Sequence, residues 1–235
     1  MNADGGGGML APDVSVAEPI LLFGHWICPY SVRVEFALAQ FALPYQVVDV
    51  PPTAARPKGF VVPEEFLEHS PHHEIPMIRH AGQYLADSLP ILDHLSRAVG
   101  RFDAASAQLA RVLDQMFFPP MIGIYYGIDP SSISVAVDRL DQAFGELESM
   151  LGQSQWLSGD EPSMAEAAYV PVIVRLEGLR GLGFDRDLPP AVDAHRRRCM
   201  ELRGGGAVQW TAEQTTEFVW RFTTFRERRS SAADL

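Results

Sequence analysis

The sequence predicts an α/β domain followed by an all-helical one. Two observations carry this reading. Residues 18–99 run strand, helix, strand, then hairpin and helix, a βαβ–ββα order. After Gly100 strand patterns stop, and long stretches with apolar residues every three to five positions take over. The character changes around residues 97 to 106. The expected division is a flexible leader at 1–17, the α/β domain at 18–99, a linker at 100–106, the helical domain at 107–229 and a tail at 230–235.

"PILLFG" (19–24) is a short apolar run closed by glycine and reads as a buried strand. Pro29 then suits the first turn of a helix, where its missing N–H costs nothing. Val32, Val34, Phe36, Ala37, Leu38 and Phe41 continue a mostly buried helix. "PYQVVDV" (44–50) is a second strand, stopped by Pro51 and Pro52, so the two strands should pair in parallel. A proline-rich loop follows, and "PEEFLEHS" suggests a short helix. "IPMIR" and "QYLAD" form a hairpin about Ala81-Gly82. Asp87 and Ser88 are both suited to cap the helix "LPILDHLSRAV".

In the second half, "SAQLARVLDQMFFPPMIGIYYG" and "SISVAVDRLDQAFGELESMLGQ" are long helical patterns. "PSMAEAAYVPVIVRLEGL" is apolar all round, the mark of a helix at the centre of a bundle. Ser163 with Glu166 three places on forms a capping box at its start. Two further helices, the second ending in "FVWRFTTFRER", complete this half.

Composition excludes several functions. The chain has 235 residues, 47% of them hydrophobic, and a formal net charge of −11. Such a chain repels phosphate backbones, so nucleic acid is not an expected partner. Lys58 is the only lysine, and the arginines near the C-terminus and at Arg196 to Arg198 read as solvated helix faces. No run approaches the ~18 apolar residues of a membrane span. "MNADGGGGML" lacks the basic and apolar regions of a signal peptide, and two distant cysteines make no disulfide framework. A reducing, cytoplasmic setting is the expectation.

Three short elements carry candidate chemistry. Cys28, in "GHWICPYSVR", falls between a strand and a helix N-terminus. Unpaired N–H groups and the helix dipole favour a thiolate at such a junction. The Tyr30 N–H and the Ser31 hydroxyl are candidate donors to the same sulfur. No cysteine lies two or three residues away, so a mixed disulfide formed here must be resolved by an outside thiol. Ile75-Pro76 is a place for a cis peptide at the start of a strand. Asp87-Ser88, at a helix start, suits a small carboxylate. Cys199, mid-pattern among arginines, reads as structural. His69, His72 and His73 are separated by Pro71 on an irregular stretch, and no metal is expected.

The order of "CPYS", "SPHHEIP", "LADSLPILDHL" and "WLSGDEPSMAEAA" resembles the glutathione transferase superfamily over residues 19 to 225. Cys-Pro-Tyr-Ser is most similar to its cysteine-type members, omega-like and glutaredoxin-like. The resemblance implies a thioredoxin-like fold for the first domain and glutathione as co-substrate. It makes Cys28 the nucleophile and sets Ile75 and Pro76 against the cysteinyl part of glutathione. Asp87 and Ser88 would hold the γ-glutamyl group, and Lys58 would approach the glycine carboxylate. His25 and Trp26, beside Cys28, either line a second pocket for a small hydrophobic or electrophilic substrate or cap the strand end. Tyr125 and Tyr126 fall where the family's first helical-domain helix faces the cleft and belong either to that pocket or to the core. The implied chemistry is thiol transfer, reduction or lyase chemistry. The alternatives are a non-catalytic binding or regulatory protein on the same fold, or a variant specialised for a biosynthetic pathway. A homodimer is expected, with "MFFPPMIGIYY" as an apolar stretch for a partner or for the cleft. The chain departs from the family pattern at His73, where glycine is usual, and at Asp87, where glutamate or glutamine is commoner.

Overall fold

The structure, a computed structural model, describes residues 18–152 and 154–233. The leader at 1–17 and the last two residues of the tail lie outside them. The first half contains β1 (Ile20–Gly24), α1 (Pro29–Gln40), β2 (Tyr45–Asp49), α2 (Glu64–His69), β3 (Met77–His80), β4 (Gln83–Ala86) and α3 (Ser88–Ala98). The four strands lie in the order β2-β1-β3-β4. β1 pairs in parallel with β2, Ile20 opposite Tyr45, and antiparallel with β3, Phe23 opposite Met77. This is the thioredoxin-like arrangement the sequence implies.

The second half contains α4 (Ala104–Tyr126), α5 (Pro130–Leu151), α6 (Met164–Val174), α7 (Leu176–Gly181), α8 (Pro190–Glu201), α9 (Arg203–Val208) and α10 (Ala212–Ala233). α4 begins at Ala104, inside the expected linker, because the Asp103 carboxylate accepts the Ser106 N–H at 2.7 Å and caps the helix there. Pro119 and Pro120 are accommodated within α4. Among the described residues, no helix is long and apolar enough to cross a membrane.

One apolar core runs through both halves, from Ile20 and Leu22 through α1 to α4, α5 and α6. α1 is buried on most of its surface, since it packs on the sheet and also on α3, α6 and α9. The close approach of α9 needs a glycine: a Cβ on Gly204 would lie 2.6 Å from the Phe36 carbonyl oxygen. A smaller cluster of Phe23, Val50, Phe66 and Met77 fills the opposite face of the sheet beneath α2. The "MFFPPMIGIYY" stretch is mostly consumed by the core, with Phe117, Phe118, Met121 and Ile124 buried.

All eleven residues of α6 are buried, Glu166 among them. Its carboxylate accepts N–H groups from Leu157 and Ser163, each at 2.6 Å, and the Ser163 hydroxyl at 2.8 Å. The Ser163 oxygen accepts the Ala165 N–H, closing the capping box. The His195 ring stands 3.5 Å from the same carboxylate. Burial alone raises the Glu166 pKa, but His195 and these donors together hold it below the ordinary glutamate value. A depressed carboxylate stabilises the fold above its unfolded pKa and loses that contribution as pH falls through the folded one. Glu166→Ala should therefore lower the unfolding free energy by ~3 kcal/mol, measured by urea titration at neutral pH. Between about pH 5 and pH 3, spanning the ordinary glutamate value of ~4.3, the wild type should lose stability more steeply than Glu166→Gln. Parallel pH profiles would contradict this account of the helix start.

Candidate functional site

Cys28 is the N-cap of α1, with φ −81 and ψ 118. Its carbonyl accepts the Val32 N–H at 3.1 Å, the first helical bond, and Pro29 occupies the first helical turn. β1 delivers the chain to this point and α1 fixes the direction in which the cysteine leaves it. The Cys28 thiol donates to the Ile75 carbonyl at 3.8 Å, across the gap between the α1 start and the segment entering β3. The Ile75-Pro76 peptide is cis.

Two cavities flank this gap. The larger, about 670 Å³, is lined by Cys28, the loop after β2, the segment before β3, the end of α4 and one face of α10. The smaller, about 330 Å³, lies between α1, α3 and Asp114 of α4. Tyr30, Glu74 and Ile75 line both, so the cavities meet beside Cys28. Asp87 and Ser88 line the smaller one. Asp87 holds φ +67, an uncommon value outside glycine, and its side chain makes no capping bond. Departures of this kind cost on the order of 1–3 kcal/mol and cluster where ligands are held. His73, which replaces the glycine usual in the family pattern, has φ +53. The backbone there is left-handed, a region histidine enters more readily than most side chains.

Comparison with known proteins accords with this geometry. The Glutathione S-transferase N-terminal domain family matches residues 27–98, and the C-terminal domain family matches residues 92–198. The chain belongs to the glutathione S-transferase family. Glutathione S-transferase D7 of Anopheles gambiae is 26% identical over 187 residues, 70% of this chain and 81% of that protein. Rice GST1, solved in complex with glutathione, superposes with a TM-score of 0.73 at 18% identity, over 88% of this chain and 99% of that one. Glutathione transferase Omega 3C from Trametes versicolor gives 0.71 at 16% identity, over 84% and 92%. Both structural likenesses speak to the fold.

Within this transferase the geometry separates the expected site residues. Cys28, Tyr30, Ile75, Tyr125 and Tyr126 line the larger cavity, and Tyr30, Ile75, Pro76, Asp87 and Ser88 the smaller. Four others do not reach either cavity. Ser31 is buried and its hydroxyl lies against β1, where a Cβ on Gly24 would come within 3.0 Å of it. Successive helical residues differ by about 100° in direction, so with Tyr30 facing the cavities Ser31 turns inward. Lys58 is exposed on the loop, and Arg56 lines the larger cavity in its stead. His25 accepts the Ile27 N–H through Nδ1 and lies 3.8 Å from Asp49. Burial, ahead of its charged neighbours, lowers the His25 pKa. Trp26 packs edge-on against Trp210, with ring centroids 5.3 Å apart. Both residues brace the strand end. His69 stacks on Tyr84 at 3.7 Å and does not converge with His72 and His73.

Two buried arginines also belong to this region. Arg33 is fully buried and its Nη2 meets Asp114 at 2.5 Å. The guanidinium lies 4.1 Å from the centroid of the Phe118 ring, and its Nε and Nη1 have no hydrogen-bond partner among the described residues. It lines the smaller cavity. Arg175, also fully buried, donates to the carbonyls of Ile27 at 2.7 Å and Pro171 at 3.0 Å. The only sequence signal for either is a single arginine within an apolar helical run. Cys199 is wholly buried 3.7 Å from His195, and burial pushes its thiol pKa far up.

Removing one member of a buried ion pair leaves the other charge uncompensated, at a cost of ~3–5 kcal/mol. Asp114→Ala should therefore destabilise the fold by an amount near the lower end of that range, because the Asp114 side chain is 26% exposed. Denaturant unfolding measures this. A loss below ~1 kcal/mol, the range of surface pairs, would show that Arg33 does not depend on Asp114.

Proposed function

We propose that this protein is a glutathione-dependent thiol transferase in which Cys28 is the nucleophile. The observation that carries the reading is the meeting of two cavities beside Cys28, with the Ile75 backbone forming the wall they share. The smaller cavity suits the γ-glutamyl end of glutathione. Its α-carboxylate can satisfy the unpartnered Nη1 of Arg33 and the Ser88 N–H at the start of α3, while Asp87 faces the ammonium group. The cysteinyl part then runs along Ile75, which brings its sulfur towards Cys28. A small hydrophobic electrophile or disulfide occupies the larger cavity.

The step we propose is an exchange. The Cys28 thiolate attacks the glutathionyl sulfur of a mixed disulfide, a Cys28–glutathione disulfide forms, and the substrate leaves as a thiolate. A second glutathione thiolate then attacks the glutathionyl sulfur of that disulfide. Glutathione disulfide is released and the Cys28 thiolate is restored. Cys199 takes no part, being buried inside the helical domain. Arg33 and Arg175 supply positive charge near the N-terminus of α1 that does not have to reorganise as negative charge passes between sulfurs.

Cys28→Ala should reduce turnover of a glutathionylated peptide by at least about a hundredfold, ~2.7 kcal/mol in barrier by the rate relation. Its affinity for glutathione by calorimetry should fall within a few-fold of wild type. Full activity in the variant would remove the nucleophile from the mechanism, and lost binding in wild type would remove glutathione.

A further inference from the structure

The turn that carries Cys28 is held by two side chains, and one of them titrates. Residues 25–28 link β1 to α1 in a tight turn, closed by the Cys28 N–H donating to the His25 carbonyl at 3.0 Å. Within it, the Ile27 carbonyl accepts from Arg175 at 2.7 Å, and the Ile27 N–H donates to His25 Nδ1 at 3.1 Å. The second contact has the form of an Asx turn, in which a side-chain acceptor takes the N–H two residues on. An imidazole nitrogen stands here where asparagine would offer an oxygen. Cys28 leaves the turn as the N-cap of α1, and its thiol reaches the Ile75 carbonyl across the gap. Ile27 is the residue before it, so releasing the Ile27 N–H releases the direction of the thiol.

A neutral imidazole has one donor nitrogen and one acceptor. Since Nδ1 accepts, the proton belongs on Nε2, which lies 3.8 Å from the Asp49 carboxylate at the end of β2. Protonating the ring puts a hydrogen on Nδ1 as well, and the Ile27 N–H then faces a second donor. Groups of both signs surround the ring. Asp49 and, from α10, Glu217 favour the cation, while Arg221 of α10 opposes it. Arg221 and Glu217 pair with each other at 2.5 Å, so their effects on the ring largely cancel. Burial outweighs all three, the His25 side chain being 12% exposed, and holds its pKa below the ordinary ~6.5. At neutral pH the ring is therefore in its accepting form.

We propose that His25 is the positioning residue for Cys28: as a neutral ring protonated at Nε2, it fixes the turn that aims the thiol at the meeting of the two cavities. Exchange needs the attacking sulfur placed against the glutathionyl sulfur, and small misplacements cost rate steeply. The effect on rate rests on the Cys28 reading. The tautomer and the bond to Ile27 do not.

The test uses the full chain, labelled with nitrogen-15. It follows the imidazole and Ile27 amide resonances by nuclear magnetic resonance, and the rate at which glutathione disulfide forms an adduct at Cys28. At neutral pH His25 should show the Nε2–H tautomer, and the Ile27 amide should shift as the ring titrates. His25→Leu should slow adduct formation about tenfold, and His25→Asn, whose side-chain oxygen accepts without titrating, by no more than about threefold. Below pH ~6.5 both wild type and His25→Asn lose rate as the thiol protonates, but wild type should lose about tenfold more. An Nδ1–H tautomer, or an Ile27 amide indifferent to the ring, would overturn the inference. So would parallel pH profiles in wild type and His25→Asn, or a His25→Leu rate equal to that of wild type. An absent adduct in wild type, with the tautomer and the Ile27 shift as expected, would overturn the thiol-transferase reading and leave the placement of His25 standing.

Discussion

The structure depends on a guanidinium buried at the joint between its two halves. Arg175, at the end of α6, reaches back 148 positions in the chain to the Ile27 carbonyl, the residue before Cys28. Its Nη1 donates to the carbonyl of Pro171, a proline inside α6, and its guanidinium carbon lies 4.9 Å from the Trp210 ring centroid. No carboxylate pairs with it among the described residues. Burial pushes its pKa down to about 10, and Tyr125 and Cys28 are the neighbours that offset this most. It stays cationic at neutral pH. Taking such an ion from water costs several kcal/mol, so a fold that keeps it there gains something from its position. The position is the turn that carries Cys28, and the charge adds to the partial positive charge of the α1 N-terminus.

The rest of the site follows from that joint. With the helical half locked to the turn, α4 supplies Asp114 to one cavity and Tyr125 and Tyr126 to the other. α10 is held on α7 by close packing, since a Cβ on Gly178 would fall 2.6 Å from Phe218 and one on Gly181 2.6 Å from Val219. It therefore stands as one wall of the cavity that Cys28 also lines. The two cavities differ in character because different elements wall them. The segment before β3, the start of α3 and a buried ion pair wall the small one, and the end of α4 with α10 makes the large one aromatic.

Local signals made much of this legible in sequence. The βαβ–ββα order, the cysteine before Pro29, the Ile75-Pro76 pair and the Ser163–Glu166 capping box are all short-range patterns, and each stands where its pattern puts it. What sequence missed was either long-range or directional. Arg33 and Arg175 have partners 81 and 148 positions away, and only the packed fold brings them together. Ser31 and Tyr30 are adjacent, yet the helix turns one to the sheet and the other to the cavities. Arg56 and Lys58 sit two residues apart on one loop, and nothing local says which faces in. His25 and Trp26 neighbour Cys28 in the chain but are consumed by Asp49 and Trp210.

The central claim is that Cys28, and not Cys199, is the thiol this architecture presents to glutathione. Treating the folded protein with glutathione disulfide and mapping the product by peptide mass spectrometry tests it directly. The account predicts one glutathione per chain, on the peptide containing Cys28, with the Cys199 peptide unmodified until the protein is denatured. Modification of Cys199 in the native protein, or no adduct at either cysteine, would contradict it.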